Sequence, residues 1–155
     1  MRLQDYLIPY IISNVVSVLL IIICYKWPKI GKIVWGLFFF SAGIFNIYTV
    51  IRTPHVYAEV YGQTAIFSFY KNFIYGIFNE LATLFVTLIG LGQIVVSILL
   101  FMRKSLFNLG ILGGLIFLIA ISPLGIGSAF PATLIMATSL FVLYKKVSIT
   151  IVMIW

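Results

Sequence analysis

Long apolar runs alternate with short polar segments along the whole chain. Five such runs can be delimited, at residues 7–24, 33–51, 81–102, 105–122 and 129–144. Their apolar positions are continuous, as in GLIFLIAI, whereas the strands of a transmembrane β-barrel alternate apolar and polar residues. An uncharged run of about 17–25 residues can cross a hydrocarbon core as a helix. The pattern predicts an all-α, polytopic transmembrane helical bundle with five spans, formed by a single integral membrane domain over residues 1–155.

The last two runs are short for membrane spans, so four spans are the alternative count. One of the runs 105–122 and 129–144 could be tilted or partly re-entrant. The apolar tail 147–155 is too short to cross as a helix, and the sequence does not assign it.

The segment 52–80 separates the second run from the third and mixes polar with aromatic residues. Proline disfavours helical geometry in the residue before it, so Thr53-Pro54 is expected to end the second helix. Tyrosine has an apolar ring with one polar tip and favours the membrane–water boundary. We therefore expect 52–80 to be an interfacial, partly helical segment.

Composition supports a membrane protein, because 63% of the residues are hydrophobic and only 8% are charged. The net charge of +7 is carried in short clusters between the runs and not on a basic face, so no nucleic-acid partner is expected. With five spans, one side of the membrane receives seven of the ten basic residues: Lys26, Lys29, Lys32, Arg103, Lys104, Lys145 and Lys146. The other side receives all three acids: Asp5, Glu59 and Glu80. The positive-inside rule then predicts a multi-pass protein of a cytoplasmic (inner) membrane, with its N-terminus outside and its C-terminus inside.

Three polar residues near the outer side form a candidate site. His55 and Glu59 are four residues apart, so a helix would place them on one face, where they could bind a metal or shuttle a proton if Glu80 joined them. The alternative is a hydrated interfacial loop. Glu80 begins the third run and could mark a proton or cation path, or it could be an acid favourably placed at a helix N-terminus.

Two polar residues lie well inside apolar runs. Asn46 belongs to the second run and Gln93 to the third. In hydrocarbon their amides need partners, most simply each other or a neighbouring backbone carbonyl. They are candidates either for packing between helices or for the lining of an intramembrane ligand cavity.

No catalytic residue, cofactor or metal is predicted. The single histidine excludes bis-histidine haem ligation within one chain, and Asp5, the only aspartate, leaves no plausible Ser–His–Asp set. Neither a P-loop nor a GxGxxG motif is present. The single cysteine, Cys24, is expected to be a small packing residue.

Three stretches resemble the DoxX-like family of small four-helix membrane proteins: GLFFFSAGIFNI (36–47), LIGLGQIVVSILLF (88–101) and FPATLIMATSLFVL (130–143). The resemblance covers roughly residues 33–145 and implies an additional N-terminal span in this chain. Asn46 and Gln93 stand where the family often has a basic residue and a glutamate. The family includes an accessory membrane subunit of a thiosulfate:quinone oxidoreductase, and the two neutral residues argue against a redox or quinone role here.

The expected function is that of a non-catalytic membrane protein, either an accessory subunit or a protein that binds a lipophilic small molecule. Its partners would be the lipid bilayer and either another membrane subunit or further copies of itself. Two other functions are open at this point. One is a small oligomeric channel or transporter that uses the outer carboxylates, and the other is a membrane enzyme built on His55, Glu59 and Glu80.

Overall fold

The computed structural model describes residues 3–152, and all regular structure within that range is helical. The seven α-helices are α1 (Leu3–Lys26), α2 (Pro28–Arg52), α3 (Val56–Thr64), α4 (Ser68–Phe73), α5 (Ala82–Phe101), α6 (Lys104–Ile121) and α7 (Ala132–Val152). A π-helical turn, Ile74–Phe78, follows α4, and a 3-10 segment, Ser122–Ser128, follows α6. The predicted all-α class is confirmed.

Four helical stretches are long and apolar enough to cross a membrane. They are Leu7–Lys26, Pro28–Arg52, Ala82–Phe101 and Ser105–Ser128. The prediction of helices long and apolar enough to span a membrane is therefore confirmed for these four.

Helices α1, α2 and α7 extend beyond the apolar runs from which they were predicted. Helix α2 begins at Pro28 because proline is well tolerated in a first turn, where its missing N–H would have no helical partner. Lys29 and Lys32 consequently lie on a helix and not in a loop. Helix α7 continues through residues 147–152 of the apolar tail, and residues 153–155 lie outside the described range.

Helices α2 and α5 form the closest helix pair, because small residues let their backbones meet. A Cβ atom added to Gly43 would lie 2.6 Å from the carbonyl oxygen of Gly90. Nearby, the Ser97 hydroxyl donates a 2.7 Å hydrogen bond to the Gly36 carbonyl oxygen. Lipid is as apolar as these helices, so close packing and interhelical hydrogen bonds hold them together.

Helix α7 packs along α1 and also contacts α2 and α6. The buried Trp35 on α2 donates its ring N–H to the Ser139 hydroxyl on α7 at 3.2 Å. Around this bond lies the first core cluster: Leu20, Cys24, Trp35, Phe39, Leu100, Phe107, Ile111, Leu118, Met136, Ala137, Leu140 and Leu143.

One end of the bundle is closed by a cap, which consists of α3, α4, the π-helical turn and the 3-10 segment. Thr64 at the end of α3 connects its parts, because its hydroxyl lies 2.8 Å from the Leu124 carbonyl oxygen and accepts a 3.2 Å hydrogen bond from the Gly127 N–H. Gly125 has φ +74°, and a Cβ atom there would lie 2.1 Å from the Thr64 carbonyl oxygen, so only glycine fits. Under the cap lies the second core cluster: Val50, Tyr57, Ala58, Ala65, Ile74, Phe78 and Val86.

Candidate functional site

A cavity of about 810 Å³ lies under the cap, and all seven helices contribute to its walls. Its lining includes Leu118 and Met136 of the first core cluster and Tyr57, Ile74 and Val86 of the second, so it separates the two clusters. Cavities of roughly 300–1,000 Å³ are typical of sites for small organic ligands.

The walls of the cavity are mainly aromatic and aliphatic. None of the described residues that line it carries a charge. The aromatic side chains come from α2, α3, α4, the π-helical turn and α6, and they are Phe38, Phe45, Tyr57, Tyr61, Tyr70, Phe73, Phe78 and Phe117. The cavity therefore favours an uncharged, largely apolar occupant.

One wall of the cavity carries a chain of hydrogen-bonded polar side chains. The Asn46 amide nitrogen donates to the Gln93 side-chain oxygen at 2.8 Å, which joins α2 to α5. The Tyr57 hydroxyl donates to the Asn46 side-chain oxygen at 3.0 Å, which joins α3 to α2. Both ends of the Asn46 amide are thus bonded, and the pairing of Asn46 with Gln93 that the sequence suggested is observed.

Tyr61 extends this polar wall along α3. Its ring lies one helical turn from that of Tyr57, with 6.0 Å between the ring centroids. Burial raises the pKa of both hydroxyls above the ordinary value for tyrosine, so both remain protonated at neutral pH and can donate hydrogen bonds. We call Asn46, Gln93, Tyr57 and Tyr61 the polar wall.

The cavity opens at a rim of exposed apolar side chains. Phe45 on α2 is 66% exposed, Phe73 on α4 is 39% exposed and Ile89 on α5 is 37% exposed. Phe45 and Ile89 belong to two of the four candidate spans. In a bilayer this rim would face lipid, and an apolar molecule could enter from the side.

The three outer polar residues are separate from this cavity. His55, Glu59 and Glu80 are all exposed, and none of them lines it. Among the described residues no hydrogen bond or ion pair joins their side chains, and no group of three potential ligands could hold a metal ion. A site shared by all three stays a prediction from the sequence, and the observed contacts give it no support.

Glu59 and Glu80 each have a local explanation. Glu59 lies in the first turn of α3, where a negative charge is favourable to the helix dipole. Glu80 lies just before α5, on an open surface that it shares with Leu81, Thr83, Leu84 and Thr87.

The sequence did not identify Tyr57 and Tyr61 as parts of a site. Their spacing of four residues is a signal that both lie on one helical face. The missing information was the direction in which the chain turns after Pro54, because that turn brings α3 back over Asn46.

No protein-family model matches this chain, and no curated protein or solved structure matches it either.

Proposed function

We propose that this chain is an integral membrane protein that binds a lipophilic molecule in the cavity under the cap. The observation that carries the proposal is an uncharged, aromatic cavity of about 810 Å³ with a hydrogen-bonded polar wall on one side. Such a site can hold an apolar molecule and orient one polar group of it.

Binding without catalysis fits the chemistry of the polar wall. Its functional groups are two amides and two phenols, and these groups do not titrate at neutral pH. Neither Glu59 nor Glu80 lines the cavity, so no specific contact favours a channel or an enzyme built on these acids.

We also propose that the chain is a member of the DoxX-like family and that it acts as an accessory subunit. The support is the loose resemblance over residues 33–145, together with a cavity that suits a carrier or binding subunit. Asn46 and Gln93, which replace residues often charged in that family, bond to each other and leave the cavity neutral.

We further propose five spans, with α7 as the fifth. Helix α7 packs along α1, and a helix packed along a membrane-spanning helix lies in the same environment. At one end of this pair, the Lys146 ammonium lies 3.7 Å from the centroid of the Tyr25 ring. At the same end of the bundle, the Lys32 ammonium lies 3.5 Å from the Met102 carbonyl oxygen.

This arrangement supports an N-terminus outside and a C-terminus inside. The basic residues around the α1–α2 and α5–α6 connections and those late in α7 share one end, and the cap forms the opposite end. The positive-inside rule assigns the basic end to the cytoplasm. The membrane would be the cytoplasmic membrane, and the cap would be on its outer side.

A cavity-filling substitution tests the function. Ala42 on α2 lines the cavity, and Ala42→Phe would occupy part of its volume. We expect purified wild-type protein to retain a co-purified lipophile, measured by mass spectrometry of an organic extract, and Ala42→Phe to lose most of it.

The neighbouring Ser41 provides the control, because it is exposed on the same helix and does not line the cavity. Ser41→Phe should retain as much lipophile as the wild type. Equal retention by the two variants, or no lipophile above the detergent background in any of them, would contradict the proposal.

A further inference from the structure

Two donor groups that line the cavity are unpaired among the described residues, whereas both amide oxygens of the polar wall already accept a hydrogen bond. This difference indicates which head group fits. Nearly all polar side chains that line the cavity are paired within the protein. The Tyr70 hydroxyl donates to the Ala120 carbonyl oxygen at 3.3 Å, and the Ser128 hydroxyl donates to the Gly125 carbonyl oxygen at 2.9 Å.

The remaining hydroxyls show the same pattern. Ser13 donates to the Pro9 carbonyl oxygen at 2.7 Å, and the Thr133 hydroxyl is hydrogen-bonded to that of Ser122 at 3.1 Å. The hydroxyl of Tyr57 is bonded to Asn46. None of these groups needs a ligand to complete its hydrogen bonding.

Each of the two side-chain carbonyl oxygens of the polar wall already accepts one hydrogen bond. The Gln93 oxygen accepts from Asn46, and the Asn46 oxygen accepts from Tyr57. A ligand N–H could use only the second lone pair of these oxygens, and a carbonyl oxygen with one hydrogen bond tolerates an empty second lone pair better than a buried donor tolerates having no acceptor.

Two side-chain donor groups that line the cavity make no hydrogen bond to any described residue: the Gln93 amide nitrogen and the Tyr61 hydroxyl. Every fully buried side-chain nitrogen or oxygen in the described range has a hydrogen-bond partner, so an unpaired atom must reach open space. Gln93 is only 3% exposed and lines the cavity, so the space that its nitrogen reaches is the cavity. An unpaired donor in such a place is costly unless a ligand or water accepts from it.

We infer that the cavity selects an uncharged lipophile whose polar group is a hydrogen-bond acceptor, such as the ester carbonyl of a neutral lipid. The inference rests on the proposed function and specifies the ligand. Among the described residues, the lining offers no cation to pair with a desolvated anionic head and no carboxylate to pair with a cationic one. A plain alkane would fit the apolar walls but would leave the two donors unpaired.

The test uses four probes with unbranched sixteen-carbon chains and different ends: methyl palmitate, palmitate, hexadecylamine and hexadecane. Each competes with a diazirine-bearing methyl ester for photo-cross-linking to the purified protein in detergent micelles. Methyl palmitate should compete at concentrations about tenfold lower than the other three, which corresponds to one satisfied hydrogen bond. Peptide mapping should place the cross-links on residues that line the cavity.

Two conservative variants assign the preference to residues. Tyr61→Phe removes one free donor and keeps the ring, so it should reduce the advantage of the ester over hexadecane. Tyr70→Phe makes the same chemical change in the same cavity, but its hydroxyl is already bonded to Ala120, so it should retain the preference. Gln93→Met removes the other donor, and it also removes the acceptor of Asn46, so Tyr61→Phe is the decisive variant.

The outcomes separate this inference from the proposed function. Equal competition by all four probes, or better competition by palmitate or hexadecylamine, would overturn the acceptor preference while the cavity still bound a lipophile. An unchanged ester preference in Tyr61→Phe would also overturn it. Absence of any cross-link to the cavity would overturn the proposed function itself.

Discussion

Asn46 is the residue at which three helices meet. It belongs to α2, donates to Gln93 on α5 and accepts from Tyr57 on α3. The Tyr57 hydroxyl also lies 3.2 Å from the Asn46 backbone carbonyl oxygen, so it contacts both the side chain and the backbone of this residue. The sequence could suggest the Asn46–Gln93 pair, since two amides in hydrocarbon have few other partners. It could not suggest Tyr57, whose distance from Asn46 depends on the path of the cap.

The bond from Tyr57 to Asn46 can be tested through stability. Tyr57 is only 6% exposed, so Tyr57→Phe would leave the Asn46 oxygen without its donor in a place that water reaches poorly. We expect the free energy of unfolding, measured by titration with a denaturing detergent, to fall by about 1 kcal/mol. Tyr48→Phe is the matched control, because Tyr48 is 60% exposed. A loss no larger for Tyr57→Phe than for the control would show that the bond contributes nothing.

At the scale of elements, the contact between α2 and α5 depends on glycine. A Cβ atom on Gly43 would lie 2.6 Å from the Gly90 carbonyl oxygen and 2.8 Å from the Ile94 side chain, so Gly43→Ala must push the helices apart. We expect Gly43→Ala to lower the free energy of unfolding by about 1–3 kcal/mol, as overpacking does in other cores.

Gly92 on α5 offers the same substitution without the clash. A Cβ atom there would meet nothing within 4 Å, and the residue is exposed. Alanine is the better helix former, so Gly92→Ala should be neutral or stabilising by up to about 1 kcal/mol. If both alanine variants were equally stable, close contact between α2 and α5 would not hold the bundle together.

The elements also show where sequence patterns stop being informative. Continuous apolar runs predicted the long helices, because hydrocarbon accepts only backbone whose hydrogen bonds are satisfied. The start of α2 was predicted later than Pro28, since Lys29 and Lys32 looked like loop residues. The chain after Pro54 was predicted to lie at the interface, but the closure of α3 over the cavity depends on bonds from Thr64 to the 3-10 segment. Those bonds join residues about sixty positions apart, and no local pattern encodes them.

At the scale of the whole molecule, seven of the ten basic residues gather at one end and the cap lies at the other. Lys32 and Lys146 make cation–π contacts between helices at the basic end. Each places its ammonium over an aromatic ring of another helix, Phe107 for Lys32 and Tyr25 for Lys146. Cation–π contacts of this kind allow lysines to lie next to apolar surface. The separation of charge along the bundle is the physical basis for its expected orientation in the membrane.

That orientation can be tested with single cysteines in a Cys24→Ser background, since Cys24 is the only native cysteine. Gln63 on the cap, Lys29 near the start of α2 and Lys145 on α7 are all exposed, so a cysteine at each position would be accessible from its own side. In intact bacterial cells, a membrane-impermeant maleimide should label Gln63→Cys, and it should label Lys29→Cys and Lys145→Cys only after the membrane is permeabilised. Lys145 distinguishes the span counts, because its side changes if α7 does not cross. Labelling of Lys145→Cys together with Gln63→Cys would reduce the count to four, whereas labelling of Lys29→Cys and Lys145→Cys without Gln63→Cys would reverse the orientation and place the cap inside the cell.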